Sequence, residues 1–193
     1  HLSSATATEL PSFRLAPPAA ASLGAALQSA VAAFATAAVP EAEVSAQHLL
    51  ARAAGFGSSR SALTAQLDAP LSEPARSRFE QMCSRRLARQ PVQYILGDWD
   101  FHELTLQLRA PVLIPRPETE LLVDRARAIA EELEPQKVVG AFVAGVSDQP
   151  ATPEERRITA CDIGTGSGCI AITVALELAL VRMLAIFNRR HRL

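Results

Sequence analysis

Ile158-Thr-Ala-Cys-Asp-Ile-Gly-Thr-Gly-Ser-Gly-Cys-Ile-Ala-Ile172 decides the fold of the second half of the chain. A short apolar run leads to Asp162. Gly164, Gly166 and Gly168 then alternate with Thr165 and Ser167, and Cys169-Ile-Ala-Ile172 opens an apolar helical pattern. The stretch reads as strand, glycine loop and helix. Glycines allow a tight turn and let a ligand approach the backbone closely. The start of the helix adds unpaired N–H groups and the positive end of a dipole. An acid at the strand end suits a ligand that also carries a cation or hydroxyls. A dinucleotide fingerprint places its third glycine where Cys169 stands, so the spacing here is G-x-G-x-G. An ordinary tight strand-to-helix turn has the same parts and stays open as an alternative.

The run from Asp162 to Gly168 resembles the first motif of class I S-adenosylmethionine methyltransferases. Upstream, Gln93-Tyr-Ile-Leu-Gly97 and Leu113-Ile-Pro-Arg-Pro-Glu-Thr-Glu120 stand in the order seen in the HemK/PrmC family. The resemblance covers Gln93 to Ile172. It implies an α/β fold: an N-terminal helical bundle, a β-hairpin linker, and the start of a Rossmann-like class I methyltransferase domain, here incomplete. It also implies methylation of a side-chain glutamine amide in peptide-chain release factors, with S-adenosylmethionine as cofactor. Asp162, Gly164, Thr165, Gly166, Ser167 and Gly168 would then hold the methionine and ribose end of the cofactor, Asp162 by supporting the loop. Arg116, Glu118 and Glu120 would lie at the rim of the site.

Two features of that family are missing from the sequence. Its Asn-Pro-Pro-Tyr motif, which places the amide nitrogen, is absent, since the single asparagine is Asn188 and the single tyrosine is Tyr94. The ribose-binding acid at the end of the second strand is not visible either, because Glu177 is the one acid after Gly168. The expectation is therefore a member of the family that ends after its first cofactor motif, with no catalytic residue visible.

Composition narrows the partners. The 193 residues are 49% hydrophobic with a net charge of −1, which suits a core-forming chain with no global field for nucleic acid. Cys83, Cys161 and Cys169 form no C-x-x-C pair, and the four histidines are scattered, so no metal framework is expected. No run reaches the ~18 apolar residues of a membrane span. The alanine-rich N-terminus and an insertion at 135–157 point to a eukaryotic chain. The mitochondrion is the expected compartment, because a bacterial-type release factor would be found there; the cytoplasm is the alternative.

Along the chain, residues 1–16 are expected to be disordered and 17–90 to form a helical substrate-recognition domain. Ser22 caps a first helix with Leu23, Leu27, Ala30, Val31 and Phe34 on one face. A second holds Val44, His48, Leu49 and Ala53, with Gly55 at its end. His48 reads as a packing residue. A third follows Ser58 or Ser59. A fourth follows Ser72, with Pro74 in its first turn and Phe79, Met82, Cys83 and Leu87 facing inward. Its Arg76, Arg78, Arg85, Arg86 and Arg89 read as a solvated face, or as a docking patch for a release factor or ribosomal RNA. Residues 91–115 form the hairpin linker, with Leu104, Leu106 and Leu108 alternating on a strand that pairs with Val112–Ile114 across Ala110-Pro111. Trp99 and Phe101 pack that linker.

The partial methyltransferase domain spans 116–193. Its first helix carries Leu121, Leu122, Ala126, Ile129 and Leu133 on one side, and Glu118 and Glu120 also suit its positive N-terminus. The 135–157 segment is too long for an ordinary connection and reads as a surface loop. A second strand is expected at Val181–Phe187. Alternatives to the enzyme are a non-catalytic release-factor-binding module, a relative of the adenine amino-methyltransferases, or an NAD enzyme. The last has neither the third glycine nor an acid about 20 residues on.

Overall fold

The computed structural model describes residues 11–16, 22–132, 158–177 and 181–186. The chain divides into two compact units, His1–Gly97 and Asp98–Leu193.

The first unit holds α1 (Leu23–Thr36), α2 (Ala42–Ala54), α3 (Arg60–Thr64), α4 (Glu73–Leu87) and α5 (Val92–Leu96). The hydroxyls of Ser22, Ser59 and Ser72 accept the N–H groups of Ala25, Ala62 and Ala75, so three helices start on serine caps worth about 1 kcal/mol each. Gly24 sits where a Cβ would lie 3.2 Å from the carbonyl oxygen of Leu67, the group to which its own N–H donates at 2.8 Å. Phe34, Leu49, Leu50, Leu63, Phe79 and Cys83 are fully buried between the helices. Val44, expected on the inward stripe, is exposed, because α2 packs against four other helices through Ala46, Leu49, Leu50 and Ala53. The hairpin expected over 91–115 starts later: Gln93 to Leu96 lie on α5, which packs against α2 and α4 and ends at Gly97, where φ is +85°.

Residues 11–16 are ordered, contrary to the expected disorder. Phe13 and Leu15 are buried, and the Phe13 ring meets Phe79 edge-on at 6.2 Å. The cause is Glu80, a carboxylate buried on α4. Its oxygens accept the Leu15 N–H at 3.0 Å, Arg14 at 2.8 Å and Arg76 at 3.2 Å, and Arg76 also donates to the Leu15 carbonyl. A buried charge without such partners is costly, so the segment and the carboxylate stabilise each other.

Arg78, Arg85 and Arg86 on α4 and Arg89 just past its end, three of them exposed, also serve as internal ties. Arg89 donates to the carbonyls of Ala37 and Ala38 at 2.6 and 2.8 Å, at the end of α1. Arg78 grips the Ala53 carbonyl near the end of α2 through two nitrogens, at 2.7 and 3.2 Å. Arg85 reaches the carbonyls of Tyr94 and Ile95 on α5. Arg86 bonds the Pro40 carbonyl and the buried Ser45 hydroxyl. These carbonyls lie at or beyond helix ends, where the helical ladder provides no partner.

The second unit starts with a hairpin. β1 (Asp98–Phe101) pairs antiparallel with β2 (Leu104–Gln107) about His102 and Glu103. The expected partner, Val112–Ile114, is not a strand: the Val112 N–H closes a turn on the Arg109 carbonyl. Trp99 and Phe101 lie nearer in sequence, and a two-residue turn brings them opposite Leu106 and Leu104. The alternation of Leu104, Leu106 and Leu108 is as expected, with Leu106 and Leu108 buried.

α6 (Pro117–Glu132) follows, then β3 (Ile158–Ile163), α7 (Cys169–Glu177) and β4 (Val181–Ile186). β3 and β4 run parallel, from Ile158 opposite Val181 to Ile163 opposite Ile186. Phe101, Leu106, Val123, Cys169 and Val174 form one buried cluster, flanked by Leu104, Ala126 and Ile170. The hairpin, α6 and α7 therefore share a core. From α6 it takes Val123 and, of the expected stripe, Ala126, while Leu121, Leu122 and Ile129 are exposed, as are Ile163 and Leu176. Among the described residues no helix is long and apolar enough to cross a membrane. Leu133, the 135–157 insertion and the end of the chain from Phe187 lie outside the described residues.

The first unit yields a prediction. Burial acts to raise the Glu80 pKa, but the Leu15 N–H, Arg14 and Arg76 outweigh it and hold the carboxyl below its ordinary 4.5. A folded-state pKa below the unfolded one gives stability that is fully present above the unfolded value and lost as pH falls through the folded one. Unit stability should therefore decline as pH drops below 4.5, and Glu80→Gln should flatten that decline. The same variant should lower stability near neutral pH by about 2 kcal/mol, read by urea unfolding.

Candidate cofactor loop

Past the end of β3 the backbone turns through Gly164, Gly166 and Gly168, whose φ values are +80°, +59° and +81°. Residues with a side chain rarely adopt this region, and β-branched ones least of all. A Cβ on Gly164 would meet nothing within 4 Å, and one on Gly166 would meet the Gly164 oxygen alone, at 3.8 Å. The loop thus presents open backbone on that side. Gly168 differs: a Cβ there would lie 3.0 Å from Ile172 in the first turn of α7.

The loop is braced from within. The Thr165 hydroxyl donates to an oxygen of Asp162 at 2.7 Å, and Thr165 is buried. The Gly168 N–H donates to the Thr165 carbonyl at 2.8 Å, and the Ile172 N–H to the Gly168 carbonyl at 2.8 Å. Asp162 and Ser167 are half-buried. The helix dipole and open N–H groups at the start of α7 add an electropositive edge. This geometry suits a polar ligand lying against the backbone.

Cys169 also has a structural reason. It is the first residue of α7 and is buried against the cluster containing Phe101 and Val123. A glycine there would leave a hole in the hairpin core.

The three rim candidates separate. Arg116 and Glu118 are exposed at the start of α6. Glu120 is engaged by the hairpin turn: its carboxylate accepts the His102 N–H at 3.1 Å, and its backbone oxygen lies 3.1 Å from His102 Nε2. A second polar group had no sequence signal, since its members come from three elements. His102 Nδ1 lies 3.8 Å from Glu177, His102 Nε2 lies 4.0 Å from Asp124, and Arg127 lies 3.9 Å from both acids. Among the described residues no cluster of His, Cys, Asp and Glu is placed to hold a metal ion.

The PrmC N-terminal domain matches residues 25–97. The chain is 36% identical over 154 residues to the Homo sapiens protein named MTRF1L release factor glutamine methyltransferase, covering 78% of this chain and 40% of that one. It is 37% identical over 136 residues to the release factor glutamine methyltransferase of Haemophilus influenzae, covering 70% and 39%. The corresponding protein of Chlorobaculum tepidum is 35% identical over 159 residues, covering 82% and 48%. The chain thus spans less than half the length of these relatives. Their similarity extends well beyond the helical unit, and with the PrmC domain over 25–97 and the motifs at Gln93, Leu113 and Asp162 it shows that the chain belongs to the HemK/PrmC family.

Proposed function

We propose that this chain provides the substrate-recognition and cofactor-loop portion of a protein-(glutamine-N5) methyltransferase acting on the Gly-Gly-Gln loop of a peptide-chain release factor. The observation that carries the reading is the braced glycine turn between β3 and α7. Residues 17–90 would recognise the release factor, and 116–193 would begin a Rossmann-like methyltransferase domain. S-adenosylmethionine would supply an electrophilic sulfonium methyl. Gly164, Thr165, Gly166, Ser167 and Gly168 would hold its methionine and ribose end, and Asp162 would keep the turn in shape through Thr165. The mitochondrion is the proposed compartment, on the alanine-rich N-terminus and the nature of the substrate.

An amide nitrogen is a poor nucleophile because its lone pair is delocalised into the carbonyl. Methylation therefore depends on holding nitrogen and methyl in line, and orientation can supply several kcal/mol of barrier lowering. The groups that would place the amide belong to the family's Asn-Pro-Pro-Tyr motif, which these 193 residues do not contain. A second reading is a release-factor-binding module without catalysis of its own. The adenine amino-methyltransferases are disfavoured by the Arg116-Pro-Glu-Thr-Glu120 segment. An NAD enzyme is disfavoured by the buried Cys169.

Incubating the chain with methyl-labelled S-adenosylmethionine and a release factor, then reading the Gly-Gly-Gln peptide by mass spectrometry, tests the division of labour. The expected result is binding of the release factor by the folded helical unit at tens of micromolar or tighter, without methylation above a no-enzyme control. No binding by either unit would remove the proposal. Methylation within about a hundredfold of an intact relative would mean that this chain carries more of the chemistry than assigned to it.

Gly166→Val tests the loop separately. Valine is strained at a φ of +59°. In an intact relative carrying the same turn, it should weaken S-adenosylmethionine binding by about tenfold or more and leave the helical unit folded. Unchanged affinity by calorimetry would exclude this loop as the cofactor site.

A further inference from the structure

Of the group around His102, only Glu120 belongs to a motif quoted above; His102, Asp124, Arg127 and Glu177 lie outside them. His102 occupies the first position of the hairpin turn with φ +51°, a conformation more often given to glycine or asparagine. It bridges to α6 twice, through its N–H to the Glu120 carboxylate and through Nε2 to the Glu120 carbonyl. Its other ring nitrogen faces Glu177, the last residue of α7, at 3.8 Å. The ring is largely shielded, with 16% of its side chain exposed, and Phe101 stacks edge-on against it at 5.5 Å. The charged groups around it are Glu120, Asp124 and Arg127 on α6 and Glu177 on α7, with Glu103 adjacent in the turn. Arg127 links Asp124 to Glu177 and closes the ring of contacts.

α7 therefore meets the same hairpin at both ends. Its first residue, Cys169, is buried beside Phe101, and its last, Glu177, faces the neighbouring His102. The glycine loop is continuous with the first of these ends. We propose that His102 is a positioning residue, which fixes the orientation of α7 and, through that helix, the glycine loop. With Nε2–H donating to the Glu120 carbonyl, neutral His102 presents a lone pair from Nδ1 toward Glu177. Protonation replaces that lone pair with a donor and tightens the contact, so the charge on His102 sets how firmly the loop is held. The role in cofactor binding rests on the reading of the loop given above; the mechanical coupling does not.

The test follows the amide signals of Gly164, Gly166 and Gly168 by NMR in the 193-residue chain, from about pH 5 to pH 8, where imidazole changes its charge. The expected result is that these amides shift in step with the His102 ring signals. The shift should vanish in His102→Gly, which removes the ring and suits the positive φ, and shrink in Glu177→Gln, which keeps the shape at α7 and leaves the hairpin untouched. Glycine amides that ignore the His102 titration, or that titrate equally in both variants, would overturn the proposal. Calorimetry with S-adenosylmethionine at the two ends of that pH range adds the functional arm: His102→Gly should weaken binding by about tenfold at the acid end, the scale of one hydrogen bond, and by less at the alkaline end. Absence of binding by the wild-type chain would remove the cofactor reading, while the amide titration would still decide the positioning role.

Discussion

Carbonyl groups at the C-terminal end of a short helix have no partner within the helix, and the organisation of the first unit follows from how these groups are satisfied. α4 lies against α2 and α5 and sends arginines to the ends of its neighbours: Arg89 to Ala37 and Ala38, Arg78 to Ala53, Arg85 to Tyr94 and Ile95. A planar guanidinium can meet two acceptors at fixed angles, which a lysine ammonium cannot reproduce. Glu80 is the converse case, a buried acceptor supplied with donors by Arg14, Leu15 and Arg76. A helix that reads as a charged surface element, with Arg89 just past its end, thereby ties α1, α2 and α5 together.

The second unit solves a different problem. A turn made of three glycines has little intrinsic stiffness, since each glycine has more backbone freedom to lose than any other residue. Rigidity comes from the flanks. Asp162 and Thr165 tie the turn to the end of β3, and the burial of Cys169 ties the start of α7 to the hairpin. The hairpin thus contributes to the shape of a loop it does not belong to.

What could be read from the residues was chemistry confined to one or two helical turns. Serine caps, Pro74 in a first turn, Gly55 at a helix end and the strand–glycine–helix sequence at Asp162 all depend on neighbours a few positions apart, and all stand where expected. The parallel second strand was legible as an apolar run, and Leu104, Leu106 and Leu108 as an alternation. The arginine partners were not, because Ala37 and Ala53 acquire their meaning only when α4 comes to rest beside them. The strand opposite Leu106 was misassigned because alternation identifies a strand without naming its partner. The inward side of α6 was read only in part: Ala126 packs on the core as expected, but the hairpin and α7 select Val123 over Leu121 and Leu122. Arg116 and Glu118 carry a motif but no visible local role, whereas Glu120 has one that the motif did not reveal.

The exposed leucines and isoleucines of the second unit have a consequence for handling the protein. Leu121, Leu122, Ile163 and Leu176 are each more than half exposed. Parallel strands are found almost exclusively in sheets covered on both faces. Apolar surface left in water is a route to association between copies. Loss from solution through such encounters is second order: halving the concentration quarters the rate. The lifetime of a sample is then a property of its dilution as much as of its fold.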